Sequence, residues 1–412
     1  MPSGRALVDR LAAVQRFAAG PAGVEDLLAR QATFEEGAAL LAWRSANRWG
    51  AQAVEAAALQ EALRRDAPDL AGLVFAETPA AGEIRTRLAQ DEALLAYFQH
   101  RDRLFGFAVT VDGVSARELD GEDLDVLVDC FLRAIRNPRR RAYVSGARRL
   151  YAGLVRPVAA ELEARRLVVV PHGAVARLPF AALRDDSGYL IDTYTLRILP
   201  SARLLSRAEG PAPSPDQGLL LLDPPEPGQP SPDLPGAPLE TAAVERAWPG
   251  AAPAVGRGAT ETLLKDRGRT AGHLHLAARC AEDPALLLAD DGENDGRLTV
   301  PELYAITLEA RLAVLSRCHA GPGAASDLVL AELSEAFLRA GADAVAISLW
   351  PVADEVAAGM MQRLYGNLLS GAGPEALRNA QRETAGIRSH PYYWAGFQWI
   401  GADGGARPPG AG

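Results

Sequence analysis

Lysine is almost missing from this chain: Lys265 stands alone among 43 basic residues, and arginine supplies the rest. With Ala, Gly and Pro also abundant, that pattern reads as a compositional bias and not as a site built from arginine. Cysteine is scarce too. Cys130, Cys280 and Cys318 are too few and too scattered for a disulfide framework, and no C-x-x-C pair suggests zinc. No apolar run approaches the ~18 residues that a membrane span requires. Polar residues interrupt the apolar ones of MPSGRALVDRLAAVQRFAAG, which makes it an amphipathic helix and not a secretion signal. Positive charge does not dominate either. A formal charge of −9 argues against nucleic acid or an anionic membrane as the main partner. The expectation is a cytosolic chain of ordinary globular composition, long enough at 412 residues for two or three units that each bury a core.

What is present divides into stretches. Over 1–90, Leu7, Leu11 and Val14 fall at helical spacing, as do Leu27, Phe34 and Leu40 or Leu41. WGAQAVEAAALQEALRRDAPDLAGL adds an Ala- and Glu-rich helix that Pro68 ends. This region resembles the last turns of a helical-repeat array without showing an internal period. Residues 91–144 read as a connecting segment of hairpin and helix. Two strand-like runs, 93–98 and 104–111, are joined by QHRD and followed by the turn DG, with a helix over 122–135. The cluster Arg136, Arg139, Arg140 and Arg141 before the next helix (145–163) reads as a solvated loop.

From Arg166 the pattern alternates between strand and helix. LVVVP (167–171), TLRILP (195–200), GLLLLD (218–223), HLHLA (273–277), LAVLS (312–316) and AVAISLW (344–350) are strand candidates. Amphipathic helices lie between them, among them 327–340, 353–369 and one starting near Leu239. A mostly parallel sheet covered by helices accounts for that order. The Pro-rich stretches 209–216 and 224–238 are loops, and the tail 403–412 has nothing to bury and should be disordered. LADDGENDGR (288–297) has the acidic spacing of a calcium loop but lacks the twelfth-position glutamate, so it reads as a solvated turn. No metal and no cofactor are expected.

One strand runs straight into a thiol: LAVLSRCHAG places Cys318 where the strand gives way to a loop, a common position for a nucleophile in α/β proteins. The surrounding motifs add to this. RLVVVPHGAVARLPFAAL, LPGAPLE, GRGATETLL, LHLA, GRLTVPELY, LAVLSRCHAG, GADAVAISLWPVAD and HPYYWAGFQWIG occur in the order and spacing of the CHAT family. Over 145–402 the chain therefore resembles these caspase-like cysteine peptidase domains, often found downstream of helical repeats. The resemblance implies a three-layer αβα caspase-like domain, here preceded by the short helical region and the hairpin. It also implies a Cys–His dyad at the C-terminal ends of adjacent parallel strands, where open α/β sheets place their sites. Strands 273–277 and 312–316 should then be parallel neighbours.

In the family the two strands end in HLATHG and LSAC. Cys318 falls on the nucleophile. HLAARC puts Arg279 on the histidine that would take the thiol proton, and Cys280 on the glycine whose N–H would help to hold the oxyanion. Arginine, with a pKa above ~12, neither accepts that proton nor returns it to an amine. It could favour a thiolate at Cys318. Other imidazoles are badly placed. His275 lies upstream of Arg279 by roughly 13 Å of extended strand, His273 lies further still, and the side chain of His319 points away from its neighbour Cys318. If the family glycine needs a positive φ, Cys280 would strain the turn.

Simpler roles explain the remaining candidates. His275 reads as a core histidine hydrogen-bonded to backbone, His172 as part of a turn beneath the sheet, and Trp350, Trp394 and Trp399 as core aromatics. Asp354 could select a basic side chain in a substrate cleft, or could be a helix N-terminal carboxylate. If the geometry holds, Cys280 and Cys318 end neighbouring strands. A permanent disulfide is not expected of a cytosolic chain, although an oxidative switch is conceivable. Two functions follow: a pseudoprotease that binds a protein or peptide partner in the old cleft, or a cysteine endopeptidase that is weakly active or completed by a partner. Neither nucleic acid nor membrane is expected as a partner, and the oligomeric state stays open.

Overall fold

The computed structural model describes residues 80–100, 103–209, 218–224, 239–281, 283–318, 324–369 and 373–403. The chain divides into Met1–Thr78 and Pro79–Gly412, and every described residue belongs to the second unit. The helices expected before residue 79, and the tail after Asp403, lie outside the described residues.

The strands are β1 (Glu92–His100), β2 (Arg103–Val109), β3 (Val114–Asp120), β4 (Arg166–Val170), β5 (Thr195–Ile198), β6 (Leu219–Asp223), β7 (Ala252–Val255), β8 (His273–Leu276), β9 (Ala285–Leu287), β10 (Arg297–Thr299), β11 (Leu312–Leu315), β12 (Ala344–Ser348) and β13 (Phe397–Gly401). The helices are α1 (Ala81–Arg87), α2 (Leu124–Ile135), α3 (Tyr143–Leu154), α4 (Leu190–Thr193), α5 (Leu239–Ala247), α6 (Glu261–Arg267), α7 (Val300–Ala305), α8 (Ala324–Ala340), α9 (Asp354–Leu368) and α10 (Gly373–Ile387).

Eleven strands form one sheet in the order β3-β2-β1-β4-β5-β13-β12-β11-β8-β6-β7. Its pairs are parallel except at β1–β2, β2–β3 and β12–β13. The central strands are apolar at nearly every position because both of their faces are covered. β6, β11 and β12 are buried along their whole length. On β8, His275 and Leu276 point to opposite faces, and both are fully buried. β8 and β11 are parallel neighbours, with Leu312 opposite His273 and Leu315 opposite Leu276, as the family resemblance requires. Gly341, at φ 121°, makes the turn from α8 into β12, where a Cβ would run into the Leu308 carbonyl.

Several elements exceed the sequence reading. The expected hairpin has a third strand, β3, in which only Leu119 is buried, so no apolar run marks it. β7 is a mostly exposed edge strand containing Pro253, a residue that edges tolerate. α10 is polar over much of its length, and β13 is a short strand that the sequence reading passed over. The sheet also crosses the boundary drawn at residue 144, because β1 lies between β2 and β4. The acidic loop LADDGENDGR is the turn of the β9–β10 hairpin. Its carboxylates accept hydrogen bonds from the loop itself: Gly292 N–H donates to Asp290 Oδ1 (2.8 Å) and Asn294 N–H to Asp291 Oδ1 (2.9 Å).

Candidate functional site

β6, β8, β11 and β12 run parallel in adjacent positions, so all four end at the same edge of the sheet. Backbone bonds hold the exits together beyond the strands proper. Ala277 N–H donates to Leu222 O (2.9 Å), and Ser316 N–H donates to Leu276 O (3.3 Å). Cys318 follows directly on β11 and is fully buried; the Ser348 hydroxyl at the end of β12 donates to its carbonyl (3.4 Å). Cys280 follows β8 and is 6% exposed.

The two cysteines are joined by a disulfide, with Cα atoms 4.8 Å apart. That separation lies within the usual span of about 4.4–6.8 Å. The pair expected to stay reduced is therefore bonded, because the register of β8 against β11 brings the two exits side by side. Cys280 does not take the positive φ that would have strained its turn. Asp123 is the one non-glycine residue with positive φ among the described residues. Cys280 instead forms an antiparallel bridge with Leu286 of β9, flanked by Leu287 N–H to Arg279 O and Ala281 N–H to Ala285 O, each 2.9 Å.

Arg279 is exposed beside this buried bond. Asp354 is exposed in the first turn of α9, where the helix dipole favours a carboxylate. His319 lies outside the described residues. Trp350, Trp394 and Trp399 are core aromatics as expected. Gln99 N–H donates to Nδ1 of His172 (3.1 Å), whose ring stacks on Phe98.

Beneath the cysteines lies a buried polar cluster that the sequence reading did not assemble. His275 points from β8 between α5 and α9. Its Nδ1 meets the Tyr365 hydroxyl at 3.0 Å, and its Nε2 lies 3.4 Å from Glu240 Oε1. Its partners are thus side chains and not backbone, which corrects the expectation. Arg317, the residue before Cys318, places Nε 3.3 Å from Glu240 Oε2 and a terminal nitrogen 3.5 Å from Asp223 Oδ1. The Thr241 hydroxyl donates to Asp223 Oδ2 at 2.6 Å. Asp223 is 2% exposed and Glu240 1%.

The two carboxylates respond differently to this setting. Burial pushes the Asp223 carboxyl above its ordinary range, and Thr241 and Arg317 offset only part of that. Burial acts on Glu240 in the same sense, but His275 and Arg317 outweigh it and hold that carboxyl below its usual range. Chemically the cluster is a buried polar anchor. It fixes the start of α5 to the ends of β6 and β11, and so fixes the backbone on which Cys318 sits.

Some signal of this cluster was present in the sequence. LLLLD ends a buried strand on a carboxylate, and LSRC carries arginine where the family pattern has alanine. Their convergence needed the fold. A concavity of about 500 Å³ elsewhere, lined by Tyr189, Asp192, Arg382, Glu383 and Trp394 among others, contains neither cysteine.

Comparisons with known proteins follow the same lines. The CHAT domain model matches residues 145–402. Tetratricopeptide repeat protein 28 of Mus musculus is 36% identical over 111 residues, covering 26% of this chain and 4% of that protein. Its Homo sapiens counterpart is 27% identical over 305 residues, covering 58% of this chain and 12% of that one. The chain thus spans a small fraction of the curated relatives it matches. Among solved structures, the Saccharomyces cerevisiae separase–securin complex aligns with a TM-score of 0.48 at 11% identity, over 78% of this chain and 30% of that one. The Arg-specific cysteine proteinase gingipain R aligns with a TM-score of 0.41 at 10% identity, over 68% of this chain and 73% of that one.

Proposed function

The chain belongs to the CHAT domain family, and from that premise we propose that it is a catalytically impaired member, a pseudoprotease that serves as a protein-interaction or regulatory module. The supporting observation is the site itself: Arg279 stands where the family pattern asks for the base, and Cys318 has its sulfur in a bond to Cys280. Arginine cannot shuttle the proton that a thiol must lose and a leaving amine must gain. The buried imidazole of His275 does not replace it, since one nitrogen faces Tyr365 and the other Glu240. Holding a protein or peptide partner needs neither that proton shuttle nor a free thiol.

Peptide-library cleavage by the reduced full chain tests this reading. No turnover above background is expected. Arg279→His with Cys280→Gly restores the family pair and should raise cleavage by ~10²–10⁴-fold, the usual contribution of general acid–base catalysis. Adding Cys318→Ala should abolish that gain. Robust cleavage by the unmodified reduced chain, lost in Cys318→Ala, would instead establish a cysteine endopeptidase.

A further inference from the structure

We propose that the Cys280–Cys318 bond is a reversible redox latch, opened by a dithiol reductant, that fastens the β9–β10 hairpin over the ends of β8 and β11. The inference concerns the site just described and rests on that reading only for what the open site does.

Three observations carry it. First, the bond joins two strand exits whose cysteines are 38 residues apart in sequence. Second, the Cys280 side of the bond belongs to the hairpin. Its bridge to Leu286, with the bonds at Arg279 and Ala281, makes residues 279–281 an extra rung on β9. The Cys318 side belongs to the central sheet, where Ser316 N–H bonds Leu276 and Arg317 is anchored by Asp223 and Glu240. The disulfide therefore links the hairpin, whose Leu286 and Leu298 are themselves fully buried, to the central sheet. Third, both cysteines are buried, and Cys280, 6% exposed, is the less completely buried of the two.

The chemistry follows from that asymmetry. A thiolate of the dithiol attacks the Cys280 sulfur, the S–S bond breaks, and Cys318 leaves as a thiolate that takes up a proton. The second thiol of the reductant then attacks its own sulfur in the mixed disulfide and expels Cys280, which is also protonated. The protein bond gains two electrons and two protons, and the dithiol becomes a disulfide.

The test equilibrates the full chain in buffers of graded oxidised and reduced dithiothreitol, quenches with acid and labels the thiols under denaturing conditions. One labelled thiol, Cys130, is expected at the oxidising end, and all 3 cysteines at the reducing end. Cys280 and Cys318 should appear together in one two-electron transition. Hydrogen exchange over 279–281 and 285–287 should speed up by about tenfold or more on reduction. Cys318→Ser should match the reduced wild type and ignore the redox buffer. Three labelled thiols throughout, or a bond to Cys130, would overturn the latch. So would unchanged exchange on reduction, which would leave the bond a mere staple. Cleavage assays in both redox states keep the two proposals apart. Cysteine-dependent cleavage after reduction removes the pseudoprotease reading and leaves the latch, whereas absent pairing removes the latch alone.

Discussion

His273 and His275 sit two residues apart on one strand and carry different burdens. His275 meets the Tyr365 hydroxyl through Nδ1 and faces Glu240 across 3.4 Å from Nε2, whereas His273 packs its ring 4.7 Å from that of Trp248, and its Nδ1 is buried without a hydrogen-bond partner. Burial, with a smaller contribution from Arg311, pushes the His273 imidazole down to about 4. The folded chain therefore keeps it neutral at a pH where the unfolded chain, titrating near ~6.5, already binds the proton. Its contribution to stability is complete above the unfolded value and is lost as pH falls from there towards the folded one. At most ~3 kcal/mol is involved. Denaturant unfolding at pH 7 and pH 4.5 should show His273→Gln losing less stability on acidification than the wild type. Equal losses would remove this residue as a source of acid sensitivity.

Charge also ties strands that do not touch. Arg197 on β5 reaches across β4 to Glu92 at the start of β1, donating to Oε1 from Nε (3.2 Å) and from a terminal nitrogen (2.9 Å). The other terminal nitrogen donates to the Gly401 carbonyl on β13 (3.3 Å). One guanidinium thereby clamps both sides of the sheet around β4 and β5. Both residues are nearly fully buried, and Arg197 Nε also lies 3.6 Å from Asp403 Oδ1, so removing Glu92 leaves the guanidinium with one longer ion pair. Glu92→Ala should cost about 2–3 kcal/mol by chemical denaturation, since Asp403 still faces the guanidinium, and the double change Glu92→Leu with Arg197→Met should recover most of it. A loss below about 1 kcal/mol for the single change would mean that water reaches the pair. The same principle applies at the cysteines, where Arg317 is held by two acids of β6 and α5 while its neighbour enters the disulfide.

Over the whole sheet, β1 to β3 are part of the body that carries the site. β1 pairs with β4 over five positions, buries Ala93 and Leu95 completely, and has the Tyr97 hydroxyl donating to Leu154 O at 3.1 Å. A chain cut at residue 145 would lose these strands and α2, exposing β4 as a bare apolar edge. Residues 145–402 alone should be insoluble or lack a cooperative unfolding transition, whereas a chain starting at Pro79 should unfold cooperatively. Cooperative unfolding of the shorter chain would show that the boundary of the family match is also a boundary of stability.

Periodicity and apolar runs in the sequence determined the central strands, the amphipathic helices and the core tryptophans, because local pattern and burial demand the same residues there. The chemistry of one position was equally legible, since no fold makes arginine a proton acceptor. Tertiary structure alone decided what meets what. β13 comes last in the chain yet lies between β5 and β12, and Asp223, Glu240, His275 and Arg317 converge from four separate segments. Cys280 and Cys318 followed the same rule. Family resemblance suggested that they end neighbouring strands, but only the register of β8 against β11 brings their Cα atoms to 4.8 Å. Parallel neighbours are joined by crossovers of a dozen residues or more, so their adjacency is fixed by packing and not by spacing along the chain.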